Sequence, residues 1–568
     1  MSEPTRPIHQ PTVDRDGSLV AHTVATPTSF KVRARVTVGS RKVIPVIFIP
    51  GVMGSNLRVR PDQSAKEGDV LKPGEAAWRP PNGMLEGYRE ARKWAARKPP
   101  QRQLILDARK LEVDPGGDME YPAYVIDEAV VRERGWGEVH AGSYGKLLSE
   151  LQRHLDKTYW RSPQGAQEIR PYWRRVMHFD PARWGVRSIA RITEAELEKF
   201  AGYQYPVYAF GYNWLESCEE SAKRLRQRID QIKAFWTERK HVCRHVILVT
   251  HSMGGLVARA CAKLSPPGDG SAPDIAGIVH GVMPALGAPV AYRRIACGTE
   301  GGNFTNHVGD NVKAQKFAEI AGDTSAETTP VMALSSGVLQ LLPNHLYPRP
   351  WLTIKTVRQV NRQDEVRDLL ALPDGNPYDF YRDMQSWYRM IDPSLADPAK
   401  QFVKQKDGVY KPILNAIDEA ERFHREILAV GGHGANKGQP YYHPNTYSYH
   451  GTDRSLKTYE KIQWVAREDR HSPAPLTRAN VRSATLSAVG ADGAREVDIE
   501  KGLRLRFTIW PQDGYGDETV PVQSGAGPEP HVRQVFSAGG FRHQDSYQHP
   551  DMILLTRHLI VKIVQDIR

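Results

Sequence analysis

Cysteine is scarce in this chain, and long apolar segments are missing. The 568 residues include four cysteines: Cys218, Cys243, Cys261 and Cys297. They show neither C-x-x-C spacing nor an accompanying histidine pattern, so we expect no disulfide framework and no zinc site, and we place Cys261 in the core. No apolar run of about 18 residues, the length that a membrane-spanning helix needs, occurs anywhere.

A secretory signal is also missing. Residues 1–10 are polar and contain no apolar segment of the kind that signal peptides carry. We therefore expect synthesis in the cytoplasm. If the protein acts elsewhere, we expect export by a non-classical secretion system.

Acidic residues are outnumbered by basic ones, and the formal net charge is +12. This charge favours anionic surfaces such as phospholipid headgroups, although it is equally compatible with an ordinary solvated basic surface. Lys and Arg are spread along the chain, and no DNA- or RNA-binding motif is present. Nucleic acid is therefore not an expected partner.

The most informative segment that is present spans residues 245–254. Residues 246–249 form a short apolar run that predicts a buried strand, and apolar residues recur at helical spacing from Leu256. The turn between strand and helix holds Ser252, followed by Gly254 and Gly255, in the context of a G-x-S-x-G nucleophile elbow. Thr250 stands where glycine is usual. Ser252 is therefore the candidate nucleophile.

An earlier apolar segment, residues 43–49, predicts a second buried strand, which is followed by Pro-Gly-Val-Met-Gly. A glycine-containing loop after an early strand is where an α/β-hydrolase places its second oxyanion donor. We expect the backbone N–H groups of Val52 and Met253 to form the oxyanion hole.

Alternating strands and helices predict a doubly wound, mostly parallel α/β sheet of the α/β-hydrolase class with large cap insertions. We expect an extended arm, a hydrolase core with an irregular insertion, a cap or lid, and a final part that begins with a hairpin and completes the core. The predicted ranges are 1–40, 41–290 with the insertion at 58–140, 291–480, and 481–568.

A serine nucleophile needs a carboxylate and a histidine, which in α/β-hydrolases follow it in that order. Asp517 lies in the turn Gly-Asp-Glu-Thr-Val-Pro after the last predicted strand. It is the preferred acid. Asp513 is the alternative, and Glu518 is expected to point elsewhere.

Three late histidines can supply the base. His543 follows Gly-Gly-Phe-Arg and precedes Pro550, which opens the last predicted helix. His549 lies almost at that helix and is the main alternative, and His531 is the third. We favour His543, because a histidine in the loop before the final helix can reach back over the sheet.

These segments resemble the lecithin:cholesterol acyltransferase-like and PGAP1-like lipases. The similar segments are Phe-Ile-Pro-Gly-Val-Met-Gly-Ser-Asn-Leu from Phe48, Val-Thr-His-Ser-Met-Gly-Gly-Leu from Val249, Leu-Ser-Ser-Gly-Val-Leu from Leu334, and Gly-Asp-Glu-Thr-Val-Pro from Gly516. Tyr212-Asn-Trp is similar to the family's Tyr-Asp-Trp, and Glu518 replaces the family's second glycine. The resemblance implies Ser252, Asp517 and a late histidine as a catalytic triad. More loosely, the chain looks like the antibacterial phospholipase effectors of type VI secretion.

Residues and resemblance together predict a serine lipase or phospholipase that cleaves lipid esters through an acyl-enzyme and needs no cofactor or metal. The alternatives are a lipid acyltransferase of the same fold, a small-ester esterase and a non-enzymatic scaffold. Expected partners are a phospholipid ester substrate, a membrane surface contacted peripherally, and an immunity or secretion protein. Trp78, Trp94 and Trp136 of the insertion are expected to help contact that membrane surface.

Overall fold

The structure is a computed structural model. It describes residues 10–23, 34–64, 70–161, 166–264, 274–302, 308–431, 437–468, 475–499 and 502–568.

The strands are β1 Thr12–Val13, β2 Leu19–Thr23, β3 Ala34–Val38, β4 Val46–Ile49, β5 Leu57–Val59, β6 Ala76–Trp78, β7 Leu111–Val113, β8 Tyr159–Arg161, β9 Gln167–Ile169, β10 Val207–Ala209, β11 Val246–His251, β12 Ile275–Gly281, β13 Leu352–Val360, β14 Gln363–Leu372, β15 Thr446–Gly451, β16 Asp453–Thr458, β17 Ile462–Arg467, β18 Thr485–Val489, β19 Arg495–Ile499, β20 Leu503–Ile509, β21 Gly514–Gly516 and β22 Gln534–Ala538. The helices are α1 Met84–Ala95, α2 Pro99–Ile105, α3 Glu128–Glu133, α4 Ala141–His154, α5 Pro171–Met177, α6 Glu194–Ala201, α7 Cys218–Glu238, α8 Gly254–Leu264, α9 Val290–Cys297, α10 Val308–Ala321, α11 Ser325–Met332, α12 Ser336–Leu339, α13 Pro377–Arg382, α14 Pro393–Ala396, α15 Tyr410–Arg422, α16 Arg478–Ser483, α17 Val522–Gly525 and α18 Pro550–Gln565.

The central sheet has six parallel strands in the order β10-β4-β11-β12-β15-β22. Its strand order reverses between β4 and β11, because β10 lies on the far side of β4. In open α/β sheets, ligands bind outside the carboxyl ends of the strands at such a switch point. The predicted nucleophile follows β11 and the predicted oxyanion loop follows β4, so both lie at this point.

Both faces of the central sheet are covered. Alternate residues of β4 point to opposite sides: Ile47 packs in one apolar cluster with α7 and α8, and Phe48 packs in the other with α4 and α18. Burial on both faces explains why β4 and β11 have continuous apolar sequences rather than alternating ones. The predicted α/β-hydrolase class is confirmed.

A second six-stranded sheet, in the order β14-β13-β17-β20-β19-β18, lies in the later half of the chain. The hairpin expected after residue 481 is β18–β19, but it joins this second sheet and not the central one. Strand β14, Gln363–Leu372, lies within the range 291–480 that was expected to form a cap or lid. The range 291–480 also contains β15, a strand of the central sheet. Its sequence, Thr-Tyr-Ser-Tyr-His-Gly, lacks the aliphatic run that marks the earlier strands.

Two expectations for the first part of the chain were wrong. The range 58–140 was expected to be irregular, yet it contains helices α1 to α3 and strands β6 and β7. Its tryptophans, Trp78, Trp94 and Trp136, are 2%, 3% and 1% exposed and pack inside the protein. Residues 1–40 were expected to form an extended arm, but the described part forms a three-stranded antiparallel sheet, β1-β2-β3.

All four cysteines are buried free thiols. Cys261 lies in the apolar cluster around α8, as expected. Burial raises the pKa of the Cys261 thiol to about 12 and that of Cys243 to about 11. Within the described residues, no helix is both long and apolar enough to cross a bilayer.

Candidate active site

Ser252 lies at a sharp turn between β11 and α8. Its backbone has φ 51°, a left-handed conformation that is strained for a residue with a side chain. The turn is tight because α8 begins against the end of β4: a Cβ on Gly254 would lie 2.4 Å from the carbonyl oxygen of Pro50. Glycine is therefore required at position 254, and the strained turn presents the Ser252 hydroxyl at the carboxyl end of the sheet.

Thr250, the departure from the usual elbow sequence, is accommodated by its neighbour in the sheet. It is fully buried and pairs with His280 of β12, whose ring Nδ1 lies 2.9 Å from the threonine Oγ1. The threonine hydroxyl therefore has a hydrogen-bond partner, and the strand continues to Ser252.

His543 contacts both of the other predicted triad residues. Its Nε2 lies 2.9 Å from Ser252 Oγ, and its Nδ1 lies 2.9 Å from Asp517 Oδ2. With Nδ1 protonated, the ring donates to the carboxylate and accepts the serine hydroxyl proton at Nε2. This is the chain of hydrogen bonds that activates a serine.

The alternative candidates for the base and the acid make other contacts. His549 caps the N-terminus of α18, where its Nδ1 accepts from the Asp551 N–H at 3.3 Å. His531 stacks on Tyr442, with ring centroids 5.8 Å apart. Asp513 accepts from the backbone N–H groups of Glu460 and Lys461.

Asp517 is fully buried, and the loop around it holds it ionised. Burial alone would raise its pKa, but His543 and the N–H groups of Val520 and Thr519, at 2.7 and 3.1 Å from Oδ1, lower the pKa overall. The next residue, Glu518, has φ 78° and its carboxylate lies 3.4 Å from Arg542. A left-handed backbone is the conformation that glycine adopts most readily, so Glu518 stands at a position that favours glycine.

The loop after β4 is held by side chains from three separate segments. Tyr212 donates its hydroxyl to the Pro50 carbonyl at 3.0 Å, and Trp78 donates its indole N–H to the Met53 carbonyl at 2.9 Å. Gly51 donates its N–H to the Tyr144 hydroxyl at 3.2 Å. Across the described residues, no backbone–backbone hydrogen bond outside the helices and strands uses the N–H group of Val52 or Met253, as is expected for a pair of oxyanion donors.

Tyr144 and His251 are the residues at this site that the sequence analysis missed. The Tyr144 hydroxyl lies 3.1 Å from His251 Nδ1, and His251 Nε2 lies 2.9 Å from the carbonyl oxygen of His543. Burial, with a smaller contribution from the His543 charge, lowers the pKa of His251 to about 3, so its ring is neutral. His251 directly precedes the predicted nucleophile, which was a usable signal. Nothing in the local sequence distinguished Tyr144.

The site is covered: Ser252 is 4% exposed and His543 is 9% exposed. The low exposure excludes most water from the serine and the histidine, which strengthens the hydrogen bonds between them.

Comparison with known proteins supports the fold. Residues 208–341 match the model of the PGAP1-like alpha/beta domain. The matched residues include most of β10, all of β11 and β12, and the elbow, whereas Asp517 and His543 lie outside them. No curated protein sequence matches the chain.

Among solved structures, one chain of the Tle4–Tli4 complex is similar at a TM-score of 0.70 and 28% identity, over 92% of this chain and 99% of that one. A second match is the phospholipase PlaB from Legionella pneumophila, at 9% identity and a TM-score of 0.14, over 58% of this chain and 85% of that one. That TM-score is too low to support an argument. The fold is thus similar to that of one chain of the Tle4–Tli4 complex over nearly the whole length of both chains.

Proposed function

We propose that this protein is a serine ester hydrolase that acts on lipids, a lipase or phospholipase. The observation that carries the proposal is the chain of hydrogen bonds from Ser252 through His543 to Asp517. Ser252 follows β11, Asp517 follows β21 and His543 follows β22, and each of the two contacts is 2.9 Å long.

The proposed mechanism begins when Ser252 Oγ attacks the acyl carbonyl carbon and His543 Nε2 takes its proton. The negative charge that develops on the carbonyl oxygen is stabilised by the N–H groups of Val52 and Met253. His543 then passes the proton to the leaving alcohol, which leaves an acyl-Ser252 ester. Water, deprotonated by His543, hydrolyses this ester and regenerates the serine. Asp517 stabilises the imidazolium in both steps.

The lipid part of the proposal is supported by the resemblance to the PGAP1-like lipases and by an exposed apolar surface. Helices α1 and α10 pack side by side, with Lys316 of α10 placed 5.4 Å from the ring centre of Tyr88 of α1. Their outward residues form the α1/α10 patch, in which Leu85, Tyr88, Val312 and Phe317 are 78%, 45%, 42% and 40% exposed. A contiguous exposed apolar surface marks an interaction site, and the proposal assigns that role to these residues.

This patch replaces the buried tryptophans as the proposed contact with a membrane surface. It combines apolar side chains with basic residues of the same helices, including Arg89, Lys93 and Lys316. Each basic side chain near an anionic bilayer contributes about 1 kcal/mol of attraction, which salt screens.

A protein partner and export belong to the proposal as well. The similar chain was crystallised in a Tle4–Tli4 complex, which supports a dedicated partner, an immunity protein in the effector interpretation. Export by a non-classical secretion system follows from that interpretation.

The deciding experiment compares the wild-type protein with Ser252→Ala. We expect the wild type to hydrolyse a short-chain ester and to be labelled by a fluorophosphonate. The variant should lose both, with a fall in kcat on the order of 10⁴-fold or more. Turnover by a folded Ser252→Ala protein at near the wild-type rate would refute the serine mechanism.

A second experiment tests the lipid surface. Flotation with vesicles of phosphatidylcholine and phosphatidylglycerol should recover the wild type at low salt and less of it at high salt. Leu85→Ser/Phe317→Ser should float less at both salt levels while cleaving the short-chain ester at the wild-type rate. Equal flotation of the variant would exclude the α1/α10 patch as the contact.

A further inference from the structure

One continuous chain of hydrogen bonds joins the oxyanion loop to the loop of the catalytic histidine, and it does not pass through the triad. It runs from the Gly51 N–H to the Tyr144 hydroxyl, from that hydroxyl to His251, and from His251 to the main-chain carbonyl of His543, over distances of 3.2, 3.1 and 2.9 Å. Tyr144 is fully buried and His251 is 1% exposed.

The chemistry of the partners allows one placement of the protons. The His543 carbonyl can only accept, so His251 must carry its proton on Nε2 and accept at Nδ1. The other neighbours of the Tyr144 hydroxyl, the Gly51 N–H and the Gln544 side-chain amide at 3.5 Å, are donors. The hydroxyl proton therefore points to His251 Nδ1.

Neither side chain changes its charge near neutral pH. Burial raises the pKa of Tyr144 to about 12, and burial together with the His543 charge lowers the pKa of His251 to about 3. A neutral His251 beside His543 does not compete with it for the Ser252 proton. The pair can thus hold the two loops without taking part in proton transfer.

Helix α4, which carries Tyr144, also holds the His543 loop directly. The Gln544 amide donates to Ser143 Oγ at 2.7 Å, and the Gln548 amide donates to the Gly142 carbonyl at 2.7 Å. The Gly51 loop is close on the other side: a Cβ on Gly51 would lie 2.8 Å from His251 Nδ1. Tyr144 and His251 therefore fill the space between the two loops.

We propose that Tyr144 and His251 are positioning residues that fix the oxyanion donor of Val52 relative to the Nε2 of His543. This inference rests on the proposed serine mechanism. Both groups act on the same reacting carbonyl, one on its oxygen and the other on the serine that attacks its carbon. A displacement of about 1 Å between such groups can cost on the order of 100-fold in rate. The pair acts through the loops and touches no substrate.

The test uses Tyr144→Phe, which removes only the hydroxyl, and His251→Leu, with the double variant to measure their coupling. We expect each single change to lower kcat for a short-chain ester about 10- to 100-fold with KM changed less than about twofold. The double variant should be hardly worse than either single one, because both break the same chain. His251→Gln, which keeps one donor and one acceptor, should retain more activity than His251→Leu.

Tyr205→Phe is the matched control. Tyr205 is fully buried and donates to a main-chain carbonyl, that of Phe200, at 2.6 Å, away from the site. Tyr205→Phe should lower the free energy of unfolding about as much as Tyr144→Phe does and keep the wild-type kcat. The positioning role would be overturned if the losses in kcat of the two single variants added up in the double variant. It would also be overturned if Tyr144→Phe left kcat unchanged, or if only KM changed.

A measurement without substrate separates this inference from the proposed function. Long-range 1H–15N spectra of histidine-labelled protein report the tautomer of each ring. We expect His251 to be protonated on Nε2 and not to titrate between about pH 5 and 9, and Tyr144→Phe to change its ring signals. If the protein cleaves no ester but shows these signals, the hydrolase proposal fails and the hydrogen-bond chain stands. A His251 that titrates in this range, or ignores Tyr144→Phe, refutes the chain.

Discussion

Asp517 and His543 are joined twice. The carboxylate of Asp517 accepts from the His543 ring at 2.9 Å, and the main-chain N–H of His543 donates to the Asp517 carbonyl at 2.8 Å. The side-chain contact between the ring and the carboxylate is thus accompanied by a main-chain contact between the same two residues. Substituting either side chain leaves the main-chain link in place, so effects on rate can be separated from effects on loop position.

The two candidate bases give opposite expectations. His543→Ala should lower kcat by on the order of 10⁴-fold, because it removes the base that takes the Ser252 proton. His549→Ala should keep most of the activity and lower the free energy of unfolding by about 1 kcal/mol, because it removes a helix cap. Ester kinetics and urea unfolding of both variants decide between them, and the reverse ranking in kcat would move the base to His549.

Asp517→Asn tests the tautomer argument. An asparagine in the same place stabilises the wrong tautomer of His543, and kcat should fall about 10⁴-fold with KM little changed. The main-chain contact between the two residues should keep the loop in place, so the unfolding midpoint is expected to stay near that of the wild type. Asp513→Asn is the comparison. If kcat falls in Asp513→Asn and not in Asp517→Asn, Asp513 is the acid of the triad.

Gly254→Ala tests the tightness of the elbow. The added Cβ would lie 2.4 and 2.5 Å from the carbonyl oxygens of Pro50 and Ile49. Relief of this overlap should cost about 1–3 kcal/mol of stability and displace the oxyanion loop, which lowers kcat. Gly87→Ala in helix α1 is the control, since its Cβ would meet nothing within 4 Å. A Gly254→Ala protein with normal stability and kcat would contradict the close approach.

Acid sensitivity should be detectable at Glu150 of α4. A hydrogen bond from His154 and the charge of Arg557, opposed by partial burial, lower its pKa from 4.5 to about 2. The pKa of Glu150 is lower in the folded protein than in the unfolded chain. Its ionised carboxylate therefore stabilises the fold fully above about pH 4.5, and this stabilisation is lost as the pH falls towards 2. Glu150→Gln should therefore destabilise at pH 7 by about 1–3 kcal/mol, and less below pH 4.

The control for this measurement is Glu128→Gln. Glu128 pairs with Arg132 on an exposed helix face, where the two side chains are 58% and 41% exposed. Such pairs contribute about 0–1 kcal/mol. If the free energy of unfolding falls by the same small amount in both glutamine variants at pH 7, the contact between α4 and the buried Arg557 of α18 does not stabilise the fold.

Local sequence was sufficient for the elbow, the β4 loop and the order of strands and helices around them. Strands buried on both faces carry continuous apolar runs, and a strand that turns sharply into a helix needs small residues at defined positions. These constraints act over a few neighbouring residues, so they are readable without tertiary structure.

Only the tertiary structure decided which late histidine faces Ser252, where the tryptophans of the insertion lie and which sheet the strands after residue 350 join. His543 and His549 are six positions apart in similar polar loops, and only the packing of α18 directs one to the serine and the other to a helix cap. Tyr144 meets His251 across 107 residues of chain. Contacts of this kind depend on how whole helices and strands pack, and the periodicity of apolar residues along the sequence does not reveal them.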